Sequence, residues 1–241
     1  MRRLLAFFVL ACACAGTSAT TTIKNYATRV DVAADGSARV TVNVQLTGSQ
    51  PGRIPLPIGF GAMDDFQIKD TPRGVVLKPI PAKEQSIVEI ELPDAIADEV
   101  KLSFSFGTPD VLGRPKSAPG ERSKLPADTS LLRHSFVNTQ ETPIGTYQVD
   151  VRLPDDVRVH KIGEQLPKLK RAEVLPRVRL DRVDSHQGAV LQLTNIKQGD
   201  RTSMSLDVIT NNRSLAWLLV GLALSAGYLF AFRDLVKPGK R

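Results

Sequence analysis

Cysteine is almost missing from this 241-residue chain. Cys12 and Cys14 are the whole supply, and both lie in the N-terminal stretch VLACACAGTSA. Their neighbours explain them. Met1, Arg2 and Arg3 form a short basic start, and Leu4 to Ala11 an apolar core. Ala13 with Ala15, or Thr17 with Ala19, then supply small residues at the spacing a signal peptidase accepts. Residues 1–19 therefore read as a secretory signal peptide, its apolar run too short for the ~20 residues of a membrane span. Lipid attachment at Cys12 is the rival reading; Leu10, bulky and two residues ahead, fits it poorly. Removing the segment takes both thiols away. The exported body is expected to have no disulfide, no thiolate nucleophile and no cysteine-ligated metal.

Long hydrophobic runs are scarce too. The exception is SLAWLLVGLALSAGYLFAF, residues 214–232, 19 residues without a charge. As a helix rising ~1.5 Å per residue it reaches just under ~30 Å, the thickness of a hydrocarbon core. Trp217 and Tyr228 stand near its two ends, where interfacial aromatics belong. Arg233, Lys237, Lys240 and Arg241 follow it against a single Asp234, so residues 233–241 are expected to be a basic cytoplasmic tail. This gives a single-pass protein of the inner membrane with its body outside the cytoplasm. Gly221 and Ser225, four apart within the run, have the small-residue spacing that lets helices pack closely.

Aromatic residues make up only 5% of the chain, and the formal charge of +7 is misleading. The N-terminal arginines and the tail carry most of it, leaving about +2 on the body, a poor footprint for nucleic acid. Amphipathic helical periodicity is absent as well. In its place, period-two alternation recurs. Val40, Val42, Val44 and Leu46 share one face of Ser37–Thr47, with Arg39, Thr41, Asn43 and Gln45 on the other. Residues 23–32, 86–92, 99–106, 145–153, 156–162, 188–196 and 202–210 behave alike, and Ala34, Asp35 and Gly36 mark a hairpin turn. About twelve short strands predict an all-β body of the β-sandwich, immunoglobulin-like class. Residues 107–130, rich in proline and glycine, are expected to be a linker between two halves, 20–106 and 131–212, with a long loop protruding from one larger sandwich as the alternative.

Catalytic signatures are lacking. There is no G-x-S-x-G. His134 and Ser135 are adjacent, so on a strand they face opposite ways. The paired carboxylates Asp64–Asp65 and Asp155–Asp156 sit where strands begin, where aspartate serves turns. His134, His160 and His186 share no context that would mark ligands. No catalytic, cofactor or metal residue is therefore assigned, and no cofactor is expected.

One stretch stands out by charge. Within residues 158–182, Lys161, Lys168, Lys170, Arg171, Arg177 and Arg179 form a candidate patch for an anionic headgroup, an acidic glycan or an acidic partner. A solvated edge strand with protective charge is the plainer alternative. The layout resembles that of bacterial envelope proteins, a likeness of architecture only. The resulting expectation is a non-enzymatic envelope protein that binds or assembles with a membrane or envelope partner. A lone ligand-binding or adhesive protein, and an extracytoplasmic hydrolase with dispersed carboxylates, remain the alternatives.

Overall fold

The computed structural model describes residues 21–83, 85–94, 97–113, 129–162, 177–183, 186–210 and 213–232. The side chains at 177, 182, 183, 213–217, 229 and 231 are outside that description. So are the expected signal peptide, residues 114–128 of the dividing stretch and the basic tail.

The all-β expectation is met. Among the described residues there are fourteen strands. They are β1 (Thr22–Val32), β2 (Ala38–Thr47), β3 (Gly52–Pro57), β4 (Asp64–Asp70), β5 (Val76–Ile80), β6 (Ile87–Leu92), β7 (Glu99–Thr108) and β8 (Leu112–Gly113). After these come β9 (Thr129–Val137), β10 (Ile144–Arg152), β11 (Val157–Ile162), β12 (Arg177–Val183), β13 (His186–Ile196) and β14 (Arg201–Thr210). The helix α1 (Arg213–Ala231) follows. Every alternating segment found in the sequence falls on a strand. The β1–β2 hairpin turns at Gly36, whose φ of 86° suits glycine, and the Asp35 carboxylate accepts the Ser37 N–H at 2.9 Å.

Three sheets result. Seven strands run in the order β12-β13-β10-β1-β2-β7-β4, four in the order β11-β14-β9-β8, and three in the order β3-β6-β5. The large sheet draws on both expected halves, because β1 pairs in parallel with β10, Tyr26 opposite Tyr147. Its inner face carries the predicted alternation: Val40, Val42, Val44 and Leu46 of β2 and Val100, Leu102, Phe104 and Phe106 of β7 are buried. One hydrophobic cluster includes residues of all three sheets. Tyr26 meets Phe136 of the four-stranded sheet edge-on at 5.6 Å, and its hydroxyl donates to the Pro57 carbonyl of the three-stranded sheet at 2.8 Å.

Helix α1 starts three residues after β14 ends. Leu218, Leu219, Val220, Leu222, Leu224, Tyr228 and Phe230 are all exposed on it. No helix among the described residues is long and apolar enough to cross a membrane.

Candidate functional site

The chemistry-bearing residues gather where the ends of the three sheets meet. The frame is built by Ser86, which is fully buried. Its N–H donates to the Phe60 carbonyl and its carbonyl accepts from Ile58 N–H, each at 2.8 Å. Its hydroxyl donates to the Gly61 carbonyl and accepts from Ala82 N–H. The segment after β3 is thus laced to the segment before β6. Gln85 then ties both to β9: its amide nitrogen donates to the Val137 carbonyl at 2.9 Å, and its amide oxygen accepts the Val137 N–H at 3.0 Å.

Inside this frame lies a buried aromatic group. β9 alternates Leu132, His134 and Phe136 inward. His134 Nε2 is 2.7 Å from the Tyr147 hydroxyl, and Phe60 packs on the imidazole at 5.1 Å between centroids. His134 Nδ1 is buried with no hydrogen-bond partner. Burial disfavours the imidazolium and drives the His134 pKa down to about 4, so the ring is neutral at physiological pH. The same burial pushes the Tyr26 and Tyr147 phenols up. Gly59 is what admits the imidazole: a Cβ there would stand 2.2 Å from His134 Cε1.

Outside the frame is an open cleft of about 520 Å³. Its walls come from three places. Gly59 to Ala62 and Lys83 form one side, the β7–β8 turn the second, and the outward residues of β9, Leu131, Arg133 and Ser135, the third. The turn is anchored to the β1–β2 hairpin, Val111 N–H donating to the Gly36 carbonyl at 2.8 Å. It holds Asp110 in the left-handed region, φ 52°, on the cleft wall. Two cations and one carboxylate therefore line one depression. Sequence reasoning missed all three, since they come from separate elements.

The residues singled out in the sequence are dispersed. Lys161 is exposed on β11 and Arg179 on β12, edge strands of different sheets. Arg177 is on β12 with its side chain outside the description, and Lys168, Lys170 and Arg171 lie outside the described residues. On α1, the Ser225 hydroxyl donates to the Gly221 carbonyl at 2.8 Å, a bond within its own helix. His160 is exposed on β11, and His186 opens β13 with Nδ1 2.9 Å from Asp155. Ser135 is exposed while His134 is buried, as strand alternation requires. Among the described residues, no group of three or more His, Cys, Asp or Glu side chains could hold a metal ion.

No known protein family matches the sequence, and no curated protein does. Solved structures with a similar chain path include a candidate protease of Parabacteroides distasonis, at 12% identity and TM-score 0.46 over 77% of this chain and 40% of that one. Native leukotriene A4 hydrolase of Saccharomyces cerevisiae matches at 10% identity and TM-score 0.41, over 77% and 29%. A candidate nutrient-binding protein of Legionella pneumophila matches at 13% and 0.45, over 79% and 67%. The chain thus spans less than half the length of the first two.

Proposed function

We propose that this is a non-enzymatic, single-pass envelope protein whose β body, of the sandwich class, lies outside the cytoplasm and binds a membrane or envelope partner. The observation that carries the reading is α1. Its described side chains present Leu, Val, Tyr and Phe to the outside on all faces of the helix. A helix that is apolar all round is stable only where something other than water surrounds it. The described run, residues 218–228, covers only ~16 Å at ~1.5 Å per residue. The charge-free sequence around it, residues 214–232, extends this to the thickness of a hydrocarbon core. A short connection from β14 then holds the body close to the bilayer.

Membrane fractions washed with alkaline carbonate test the anchor, and protease added outside the cytoplasmic membrane tests the orientation. The expected result is a pelleted chain whose body is digested while a C-terminal tag is protected. Full release by carbonate, or a digested tag with a protected body, overturns the reading. Crosslinking in intact cells, followed by purification through that tag, tests partnership: one recurrent membrane protein is expected, lost when residues 214–232 are replaced by polyleucine.

A further inference from the structure

The cleft beside β9 carries charge that the fold itself does not use. Lys83, Arg133 and Asp110 all line it, yet among the described residues none of the three makes an ion pair. Elsewhere on the surface, charges brought together do pair: Arg39 with Asp65 at 2.6 Å, Arg53 and Lys78 with Glu91 at 3.0 and 2.9 Å. The frame sets where each of the three cleft charges leaves the main chain. Asp110 is fixed by a left-handed turn tied to Gly36, Arg133 by its place on the outward face of β9, and Lys83 by its closeness to Gly61. The last is tight: a Cβ at Gly61 would stand 2.5 Å from the Lys83 carbonyl oxygen. Leu131, Ala62 and Val111 add apolar wall beside them, and the Ser135 hydroxyl adds a donor. A volume of about 520 Å³ is the size of a small-molecule site.

We infer that this cleft binds a singly charged oxyanion, a carboxylate or a phosphodiester, that carries a short apolar group. Among the described lining residues, two cations against one carboxylate leave one net positive charge. Arg133 and Lys83 hold the anionic oxygens by charge-assisted hydrogen bonds, and Asp110 disfavours a second negative charge. The apolar group lies on Leu131 and Val111. The inference rests on reading the body as a binding module; the anchor and its orientation are tested separately, by carbonate and protease, and stand apart from it.

The test is a ligand-observed NMR titration of the full chain in nanodiscs of uncharged lipid. Butyrate and diethyl phosphate are the probes, with 1-butanol as the neutral control. Saturable binding of at least one anion is expected, with none for butanol. Arg133→Gln and Lys83→Gln should each weaken it about tenfold, the worth of one charge-assisted hydrogen bond. Asp110→Asn should strengthen it several-fold by removing a like charge. All three side chains are exposed, so thermal midpoints should match the parent chain and separate lost binding from lost folding. Butyrate alone binding assigns a carboxylate ligand. Diethyl phosphate binding, competed when the disc carries phosphatidylglycerol, assigns a lipid headgroup; without that competition it assigns a soluble phosphodiester. Absence of saturable binding of either anion, equal binding of butanol, or binding indifferent to all three substitutions overturns the inference.

Discussion

The side-chain amide of Gln85 occupies both main-chain groups of Val137, donating to its carbonyl at 2.9 Å and accepting from its N–H at 3.0 Å. A side chain here stands in for a neighbouring strand. β9 is already paired with β14 through Arg201 opposite Val137, so the Gln85 contact closes the other edge at that residue. It also joins the three-stranded sheet to the four-stranded one, and with it one wall of the cleft to another.

Gln85→Ala leaves the Val137 N–H and carbonyl without partners in a half-buried place. A destabilisation of ~1–3 kcal/mol is expected from one lost bidentate contact. Thermal unfolding of the purified chain in mild detergent reads it. An unchanged midpoint would mean that water replaces the amide at no cost.

Gly59→Ala tests the closest approach in the site. The new methyl meets the His134 ring at 2.2 Å, and the imidazole has nowhere to go, being packed against the tilted ring of Phe60 and bonded to Tyr147. Overpacking of this kind costs ~1–3 kcal/mol. The cause is checked by the pair: His134→Ala makes a void that accepts the methyl, so Gly59→Ala should cost less in that background, with a coupling of ~0.5–3 kcal/mol. Additive losses would show that the clash is not with His134.

These contacts differ in how far the sequence discloses them. Alternation places Val40, Val42, Val44 and Leu46 inward because a pleated strand has period two. The same rule, applied to Leu132, His134 and Phe136, puts the imidazole in the core. Periodicity names a face, though, and not a partner. The parallel pairing of β1 with β10 depends on which apolar faces fit, and nothing local to Tyr26 or Tyr147 announces it. The cleft is less legible still. Lys83, Asp110 and Arg133 come from three elements, and only the lacing through Ser86, Gln85 and Gly36 brings them to one place. The basic stretch that did stand out by composition falls partly outside the described residues, and its described members sit on two different edges.

His134 predicts an acid limb in stability. Its pKa is about 4 in the fold against 6.5 unfolded. Below pH 6.5 the unfolded chain takes up a proton that the folded chain refuses. Stability is therefore fully present above pH 6.5, falls as pH drops toward 4, and levels off below it. The whole limb amounts to ~3 kcal/mol, from 1.36 kcal/mol per pKa unit. Carboxylates contribute their own acid dependence, so the readout is the difference between the parent chain and His134→Leu. That difference should vary with pH between 6.5 and 4 and stay constant above. A flat difference would place the proton elsewhere.

A charge on α1 tests the proposed anchor with less disturbance than deletion. Leu222 is exposed on the helix and near the middle of the charge-free run. In lipid, an arginine near the centre of a span costs ~2.5–3.5 kcal/mol of insertion free energy. If α1 lay on a water-exposed surface, Leu222→Arg would be neutral or would improve solubility. In the anchored reading it shifts part of the chain from the carbonate-resistant pellet to the supernatant. Leu222→Ala, which keeps the run uncharged, should leave the partition almost unchanged. The body is separated from α1 by only two residues after β14, so its folding gives the internal control. The thermal midpoint of the released Leu222→Arg chain should equal that of the parent, because Leu222 is exposed and none of the described helix side chains belongs to the core cluster. A lowered midpoint together with release would trace the loss to misfolding of the body, and pelleting equal to the parent's would remove the bilayer as the surroundings of α1.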